Sequence, residues 1–544
     1  LTAYEWWQRG VVYQIYPRSF KDTSSNGVGD LQGIIDKLDY LNDGTENSLG
    51  VDAIWISPFY PSPMADFGYD IADYRDIDPI FGDLASFEQL VAEAHQRKIK
   101  IIVDYVPNHT SDEHAWFVES RSSRDNPKRD WYIWRDAKAD GSPPNNWGSL
   151  FGGPAWTWDE TTQQYYFHQF HRKQPDLNWR NPQVQQAMFD VLRFWMQRGV
   201  DGFRMDVVYM IWKHPDMPDQ PVNADAIGRG RNDIFSGQQQ IYAYNYEGIH
   251  DVMKSLRRVL DESQVIGIGE IWLSLEERMK YYGDDAGEEF HIPFNFDLIG
   301  AVGELNEENI EHNNQAAFFR ERVEAYEHLV PDGCWPNYVL GSHDVPRLAS
   351  RSGGEAQARV LAMMLLTLRG TPTLYMGDEI GMVNGAIAAE QIQDPQGKQL
   401  GVEHTRDVCR TPMQWDASNN AGFSTTATWL PVNRDFPQRN VKLQSKDSQS
   451  ILSLYRNLNW YRKQHESLAV GDYQTLDSPA ETYVYLRTHH DERHLIALNF
   501  SDREQVIRLP FAGTIVMNTM LNRDGEISDE LLLAANEGVL IQLN

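Results

Sequence analysis

Three short apolar runs in this chain each end on a carboxylate. Val200-Asp201-Gly202-Phe203-Arg204-Met205-Asp206-Val207-Val208 leaves Arg204 and Asp206 inside a strand-like stretch. Ile266-Gly267-Ile268-Gly269-Glu270 and Tyr338-Val339-Leu340-Gly341-Ser342-His343-Asp344 repeat the pattern with Glu270 and Asp344. Burying an ion without a partner is expensive, so acids at the ends of buried runs need a reason. Arg204 lies two residues before Asp206, on the same face of a strand, and its guanidinium is expected to hold Asp206 ionised, as a nucleophile must be. Glu270 has no cation beside it in sequence. Burial would keep it protonated at neutral pH, as a general acid requires. The plainer reading of Arg204 and Asp206 is a buried structural ion pair.

Acids from separate strands meet only if the strands share one sheet. Eight runs read as strands: Val11–Tyr16, Ala53–Ser57, Lys100–Tyr105, Gly202–Val207, Val265–Glu270, Phe290–Phe294, Tyr338–Gly341 and Thr373–Met376. Helical patterns lie between most of them, as at Val184–Arg198. The alternation implies an α/β fold, a (β/α)8 TIM barrel with its site at the C-terminal strand ends. A Trp-, Pro-, Asn- and Gly-rich stretch at 106–178 interrupts it and reads as an inserted irregular domain, since long insertions in a barrel are usually functional. From 466 to 544 short alternating runs with turns read as an all-β domain of sandwich type. The barrel then comprises 1–105 and 179–465, and no internal repeat or low-complexity segment occurs.

These segments resemble glycoside hydrolase family 13, the α-amylase family. Gly202-Phe203-Arg204-Met205-Asp206 resembles its nucleophile strand, Gly269-Glu270-Ile271-Trp272 its acid/base strand, and Ser342-His343-Asp344 its third-acid strand. Asp104-Tyr105-Val106-Pro107-Asn108-His109 resembles the remaining signature. The four occur in family order. The resemblance implies a retaining double displacement through a glycosyl-enzyme, with nucleophile and acid/base carboxyls ~5 Å apart. It casts Asp206 as nucleophile, Glu270 as acid/base, and Asp344 as the acid gripping the sugar 2-OH and 3-OH. His109 and His343 resemble hydroxyl-binding residues of the first sugar subsite. Ser342 stands where Asn is common, which touches only a supporting hydrogen bond. Domain B of the family corresponds to the insertion.

Gln174-Pro175-Asp176-Leu177-Asn178 resembles the segment that marks the oligo-1,6-glucosidase branch, and Arg410-Thr411-Pro412-Met413-Gln414-Trp415 a block of its α-glucosidases. In Gly68-Tyr69-Asp70, Asp70 resembles the acid that binds the 4-OH and 6-OH of a terminal glucose, with Tyr69 beside it and Arg406 as its ion-pair partner. Such a pair implies exo action. Val207 after the nucleophile resembles enzymes favouring α-1,6 bonds, though a β-branched residue also simply suits a strand. Transglycosylation is expected in the same site. An α-1,4- or sucrose-preferring α-glucosidase or glucosyltransferase is the alternative. Sucrose isomerase is disfavoured because the Arg-Leu-Asp-Arg loop associated with it is absent. A catalytically inactive binding subunit of the same fold is the remote alternative. Asp22, Ser24, Asn26, the Val28 carbonyl and Asp30 place oxygens at alternate residues with Gly27 at the turn. They resemble the branch's divalent-metal loop, implying structural Ca2+ or Mg2+ and no cofactor for catalysis.

With 544 residues, 49 basic and 78 acidic, the net charge is −29. Nucleic acid and anionic membranes need a basic face, so both are excluded as partners. The expected partner is a small oligosaccharide or glucoside, and the expected assembly a monomer or homodimer. Cys334 and Cys409 are too few for a disulfide framework, so free thiols are expected, with a single bridge left open. No run reaches the ~18 apolar residues of a membrane helix. Leu1-Thr2-Ala3-Tyr4-Glu5-Trp6-Trp7 has neither the basic nor the apolar region of a signal peptide. A cytoplasmic location is expected, a trimmed signal peptide being left open because the first residue is not Met.

Overall fold

The computed structural model describes residues 4–224, 234–283, 287–299 and 315–544; Leu1–Ala3 of the N-terminal stretch read above lie outside them. Eight parallel strands form the central sheet: Val12–Ile15, Ala53–Ile56, Lys100–Tyr105, Gly202–Met205, Ile266–Gly269, Ile292–Pro293, Asn337–Val339 and Thr371–Tyr375. Each lies within a residue or two of an expected run. Strand order follows the chain, with the eighth strand hydrogen-bonded to both the seventh and the first. Between the sixth and seventh strands the Asn337 side chain supplies the link: its Nδ2 donates to the Pro293 carbonyl and its Oδ1 accepts the Asn295 N–H. The sheet is thus drawn round into a (β/α)8 barrel. Its strands are apolar on both faces because helices cover the outside and layered side chains fill the inside.

Pro182–Met196 shows how the outer layer is built. Asn181 caps it by accepting the Gln183 N–H, and Pro182 occupies the first turn, where a missing N–H costs nothing. Val184, Met188, Val191, Leu192 and Trp195 form its buried stripe. Residues 106–178 are less irregular than expected. They contain a helix, Ala115–Ser122, and a three-stranded antiparallel sheet of Trp134–Arg135, Gln164–Phe167 and Trp156–Asp159. Aromatic cross-strand pairs such as Trp158 with Tyr165 hold that sheet. After the eighth strand, residues 376–450 run mostly as short turns and return to the barrel rim. The helix Ile451–Gln464 then packs on Glu355–Thr367. The C-terminal region holds a six-stranded antiparallel sheet and a two-stranded one, Gln505–Arg508 with Glu530–Leu533. Ile507, Leu531 and Leu533 of the small sheet share one apolar cluster with Val484, Leu495 and Ile541 of the large one.

Candidate active site

Arg204 is the hub of the site. It sits on the fourth strand, directly opposite Asp104 of the third and Ile268 of the fifth. Its Nη1 lies 2.8 Å from Asp104 Oδ1 and 2.7 Å from Asp206 Oδ1, and its Nη2 lies 2.7 Å from Glu270 Oε2. Glu270 has no cation beside it in sequence, but the neighbouring strand supplies one. Asp206 and Glu270 share this guanidinium and touch each other. Burial, and then the adjacent Glu270 carboxylate, push Asp206 above the usual carboxylate range, against the pull of Arg204. This corrects the expectation that Arg204 alone keeps Asp206 ionised. A buried carboxyl beside a second one is costly to ionise, which is why Glu270 adds to burial in raising Asp206.

Glu270 is held by three donors. Trp272 Nε1 donates to Oε1 at 2.8 Å; the Val207 N–H donates to Oε2 at 3.0 Å, where Arg204 also reaches. Val207 itself is in the left-handed region, φ 37° and ψ 42°. A β-branched residue rarely adopts that conformation, which costs ~1–3 kcal/mol. The turn ends the strand after Asp206 and directs the Val207 side chain into the cavity wall.

Asp206, Glu270, Asp344, Tyr69, His109 and Arg406 all line one cavity of about 560 Å³. Asp344 contacts Arg410 Nη2 at 2.9 Å, Arg406 Nη1 at 3.3 Å and His343 Nε2 at 3.2 Å. Burial alone would raise its pKa, but His343, Arg406, Arg410 and Arg204 together hold it well below the usual carboxylate range. Burial lowers His109 to about 4 and His343 to about 3, so both imidazoles are neutral. Gln14 Nε2 lies 2.6 Å from His343 Nδ1, and Tyr69 Oη lies 2.8 Å from Nε2. An amide N–H against Nδ1 makes that nitrogen the acceptor and leaves the proton on Nε2. Tyr69 Oη can in turn donate to Asp104 Oδ2, 3.3 Å away. His343 and Arg204 are both almost fully buried, and they reach the cavity through Asp344 and through Asp206 and Glu270.

Asp70 requires a larger correction. Its carboxylate accepts the Ala65 N–H at 2.7 Å, the Asp66 N–H at 2.9 Å and the Ser62 hydroxyl at 2.9 Å. It is fully buried beneath the loop, and burial pushes it up to about 6. The ion-pair partner of Arg406 is Asp66, at 2.8 Å, and Asp66 lines the cavity. Positive φ angles at Met64 (61°) and Phe67 (47°) coil the loop, so the nearer acid faces the cavity and the farther one stitches the loop together. Arg406 also pairs with Asp394 at 2.7 Å. Asp66, Asp104, Asp394, Arg410 and Trp272 are site residues that the sequence reading did not select. Asp104 ends an apolar run like the three acids singled out, so the same signal could have found it.

In the Asp22–Asp30 loop, Asp22 accepts the N–H groups of Ser25 and Gly27 and the hydroxyls of Ser24 and Ser424. Asp30 accepts the N–H groups of Thr23, Ser24 and Gly33 and the Thr23 hydroxyl. Asn26 Oδ1 accepts the Val28 N–H. Gly27 has φ 86°, and a Cβ there would lie 2.1 Å from the Ala427 carbonyl oxygen.

The chain has close counterparts among known proteins. Residues 14–471 match the family model described as alpha amylase, catalytic domain. The chain is 42% identical over 530 residues to an oligo-1,6-glucosidase of Heyndrickxia coagulans, covering 92% of each chain. It is 40% identical over 519 residues to a probable alpha-glucosidase of Rhizobium meliloti (strain 1021), covering 93% of this chain and 91% of the relative. The crystal structure of the alpha-glucosyl transfer enzyme XgtA superposes with a TM-score of 0.90 at 38% identity over the full length of both chains. The sequence match and the barrel agree: this chain belongs to the alpha-amylase family, glycoside hydrolase family 13.

Proposed function

We propose that this protein is a retaining exo-α-glucosidase that removes glucose from the non-reducing end of short α-glucosides. The observation that carries the reading is the Asp206–Glu270 pair on the two arms of Arg204, in a cavity walled by the Asp66–Arg406 ion pair. In retaining enzymes the two carboxyls stand ~5–5.5 Å apart, so an entering sugar must part this pair. Asp206 then keeps Arg204 and is ionised, while Glu270 holds a proton. Glu270 protonates the glycosidic oxygen as that bond breaks. Asp206 attacks the anomeric carbon, giving a glucosyl ester and a free aglycone. Glu270, now a carboxylate, takes a proton from water, whose oxygen displaces Asp206 and releases glucose. A sugar hydroxyl in place of water gives transglycosylation. Asp344, kept anionic by His343 and two arginines, suits a hydroxyl grip on the same ring.

The linkage reading is α-1,6. Val207 is fixed in the cavity wall by its left-handed backbone and narrows the approach of the second sugar. Comparing kcat/KM on isomaltose, maltose and sucrose tests this. Maltose outrunning isomaltose severalfold would end the α-1,6 reading, and sucrose dominating would favour the sucrose-preferring alternative. Asp206→Asn should leave the barrel folded and form no glucosyl-enzyme. A covalent adduct trapped on another residue would overturn the mechanism.

The Asp22–Asp30 loop is proposed as a weak structural site for Ca2+ or Mg2+. The hard oxygen donors suit either ion, provided the Thr23, Ser24 and Ser424 hydroxyls turn their protons away from the carboxylates. Only two formal charges support it. Metal analysis after dialysis, with melting curves in calcium and in chelator, tests this. Two free cysteines support a cytoplasmic setting, which fractionation of the native host tests. Light scattering distinguishes the two assemblies proposed, monomer and homodimer.

A further inference from the structure

A second cavity, of about 630 Å³, lies between the inserted domain and the loop after the fourth strand, and shares no lining residue with the catalytic cavity. In a chain of net charge −29, its wall is basic. Arg129 donates to the Ser120 carbonyl, the Thr162 hydroxyl and the Gln164 amide oxygen. Arg135 donates to the carbonyls of Trp134 at 2.8 Å and Pro215 at 2.9 Å. Arg180 donates twice to the Lys213 carbonyl, at 3.0 and 2.7 Å. All these acceptors are neutral, so the three guanidiniums are positioned without a carboxylate hydrogen bond of their own. The lining carboxylate, Asp130, accepts the amides of Asn178 and Asn181. Lys213 is already balanced by Asp176 at 2.7 Å. Arg124, also on the wall, pairs with Asp136 at 3.1 Å. That leaves Arg129, Arg135 and Arg180 beside the one lining acid, Asp130.

We propose that this cleft is a binding site for a phosphate monoester carried on a small, sugar-sized body. Planar guanidiniums suit phosphate oxygens, which accept paired N–H donors. Neutral carbonyl anchors hold the forks in place in advance, so little side-chain freedom is lost on binding. The volume far exceeds one phosphate and falls within the range of small-molecule sites, leaving room for an attached ring.

The test is calorimetric titration of the full-length protein at low salt with glucose 6-phosphate and, separately, with inorganic phosphate. Saturable binding is expected that weakens as sodium chloride is added. It should persist in Asp206→Asn and in saturating glucose, because the catalytic cavity is separate. Arg135→Gln should weaken it roughly tenfold or more, the loss expected for one charged contact, while Arg135→Lys retains part of the affinity and hydrolysis without phosphate is unchanged in both. Binding of the ester alone marks a phosphorylated sugar as the ligand, whereas equal binding of inorganic phosphate marks the free anion. No saturable binding of either, competition by glucose, or wild-type affinity in a folded Arg135→Gln protein would overturn the proposal. So would a salt-independent wild-type affinity.

Discussion

Asp66→Asn and Asp70→Asn should separate substrate binding from loop integrity. Asp66 faces the cavity, paired with Arg406 at 2.8 Å and hydrogen-bonded to Gln174 Nε2 at 3.1 Å. A sugar hydroxyl bound to such a carboxylate makes a charge-assisted hydrogen bond worth ~1.5–3 kcal/mol. Replacing it with a neutral amide should cut kcat/KM roughly 10- to 150-fold. Stability should change little. Burial pushes the Asp66 carboxyl up, so the neutral side chain removes a desolvation cost that offsets the lost ion pair. Asp70 has the opposite profile. Two backbone N–H groups and a hydroxyl converge on its carboxylate. An amide presents one acceptor to them and turns its NH₂ against a donor. Losing one or two of these bonds costs ~1–3 kcal/mol each. The variant should therefore melt earlier, and whatever activity it loses should follow the fraction unfolded. Steady-state kinetics on p-nitrophenyl α-glucoside, paired with thermal unfolding of both proteins, reads both effects. A stable Asp70→Asn enzyme with crippled kcat/KM, beside an unaffected Asp66→Asn, would refute this assignment and restore Asp70 as the residue that touches sugar.

Four further outcomes follow from the same geometry. Val207→Ala removes two methyls from the cavity wall. It should raise the maltose-to-isomaltose ratio of kcat/KM by roughly tenfold or more; an unchanged ratio would clear Val207 of any part in linkage choice. The pH profile of kcat/KM should lose its acid limb above the ordinary Asp range near 4, because Asp206 must ionise to attack and its pKa is raised by burial and by Glu270. An acid limb at or below that range would contradict a raised Asp206. Asp378 is raised to about 7, mainly by burial. A raised carboxyl contributes stability that is present below the unfolded value near 4 and is lost as pH rises through the folded value. Asp378→Asn should thus gain on the wild type between pH 5 and 8, by on the order of 4 kcal/mol at most, which denaturant titration at the two pH values would detect. Asn337→Ala removes the side chain that joins the sixth and seventh strands and leaves the Asn295 N–H and the Pro293 carbonyl unpaired. A loss of ~2–4 kcal/mol is expected, and a neutral substitution would mean that the barrel closes without it.

The fold was legible because its strands are buried on both faces. Runs such as Lys100–Tyr105 show no polar alternation, and each is bounded by turn residues or by a polar group at its C-terminal end. The sixth strand, only Ile292–Pro293, was recoverable from its aromatic flanks Phe290 and Phe294. The nucleophile, acid/base and third-acid candidates were legible because each closes such a run. What escaped was lateral contact and loop path. Sequence adjacency assigned Arg204 to Asp206 alone, whereas strand pairing also gives it Asp104 and Glu270 from the two neighbouring strands. Spacing likewise could not choose between Asp66 and Asp70, four residues apart, since the choice rests on left-handed turns at Met64 and Phe67 that neither residue type favours.

The shared guanidinium has a consequence for how the two carboxyls divide their roles. On the side chain, Asp206 receives Arg204, while Glu270 receives Arg204, Trp272 and the Val207 N–H. Arg204 holds both, so it cannot by itself decide between them. Parting the pair can: it takes the Glu270 charge away from Asp206 and removes one of the causes that raise Asp206, while the Arg204 contact that lowers it is kept. Substrate entry and proton placement are then one event. A ligand too small to wedge the carboxyls apart should bind without arming the acid.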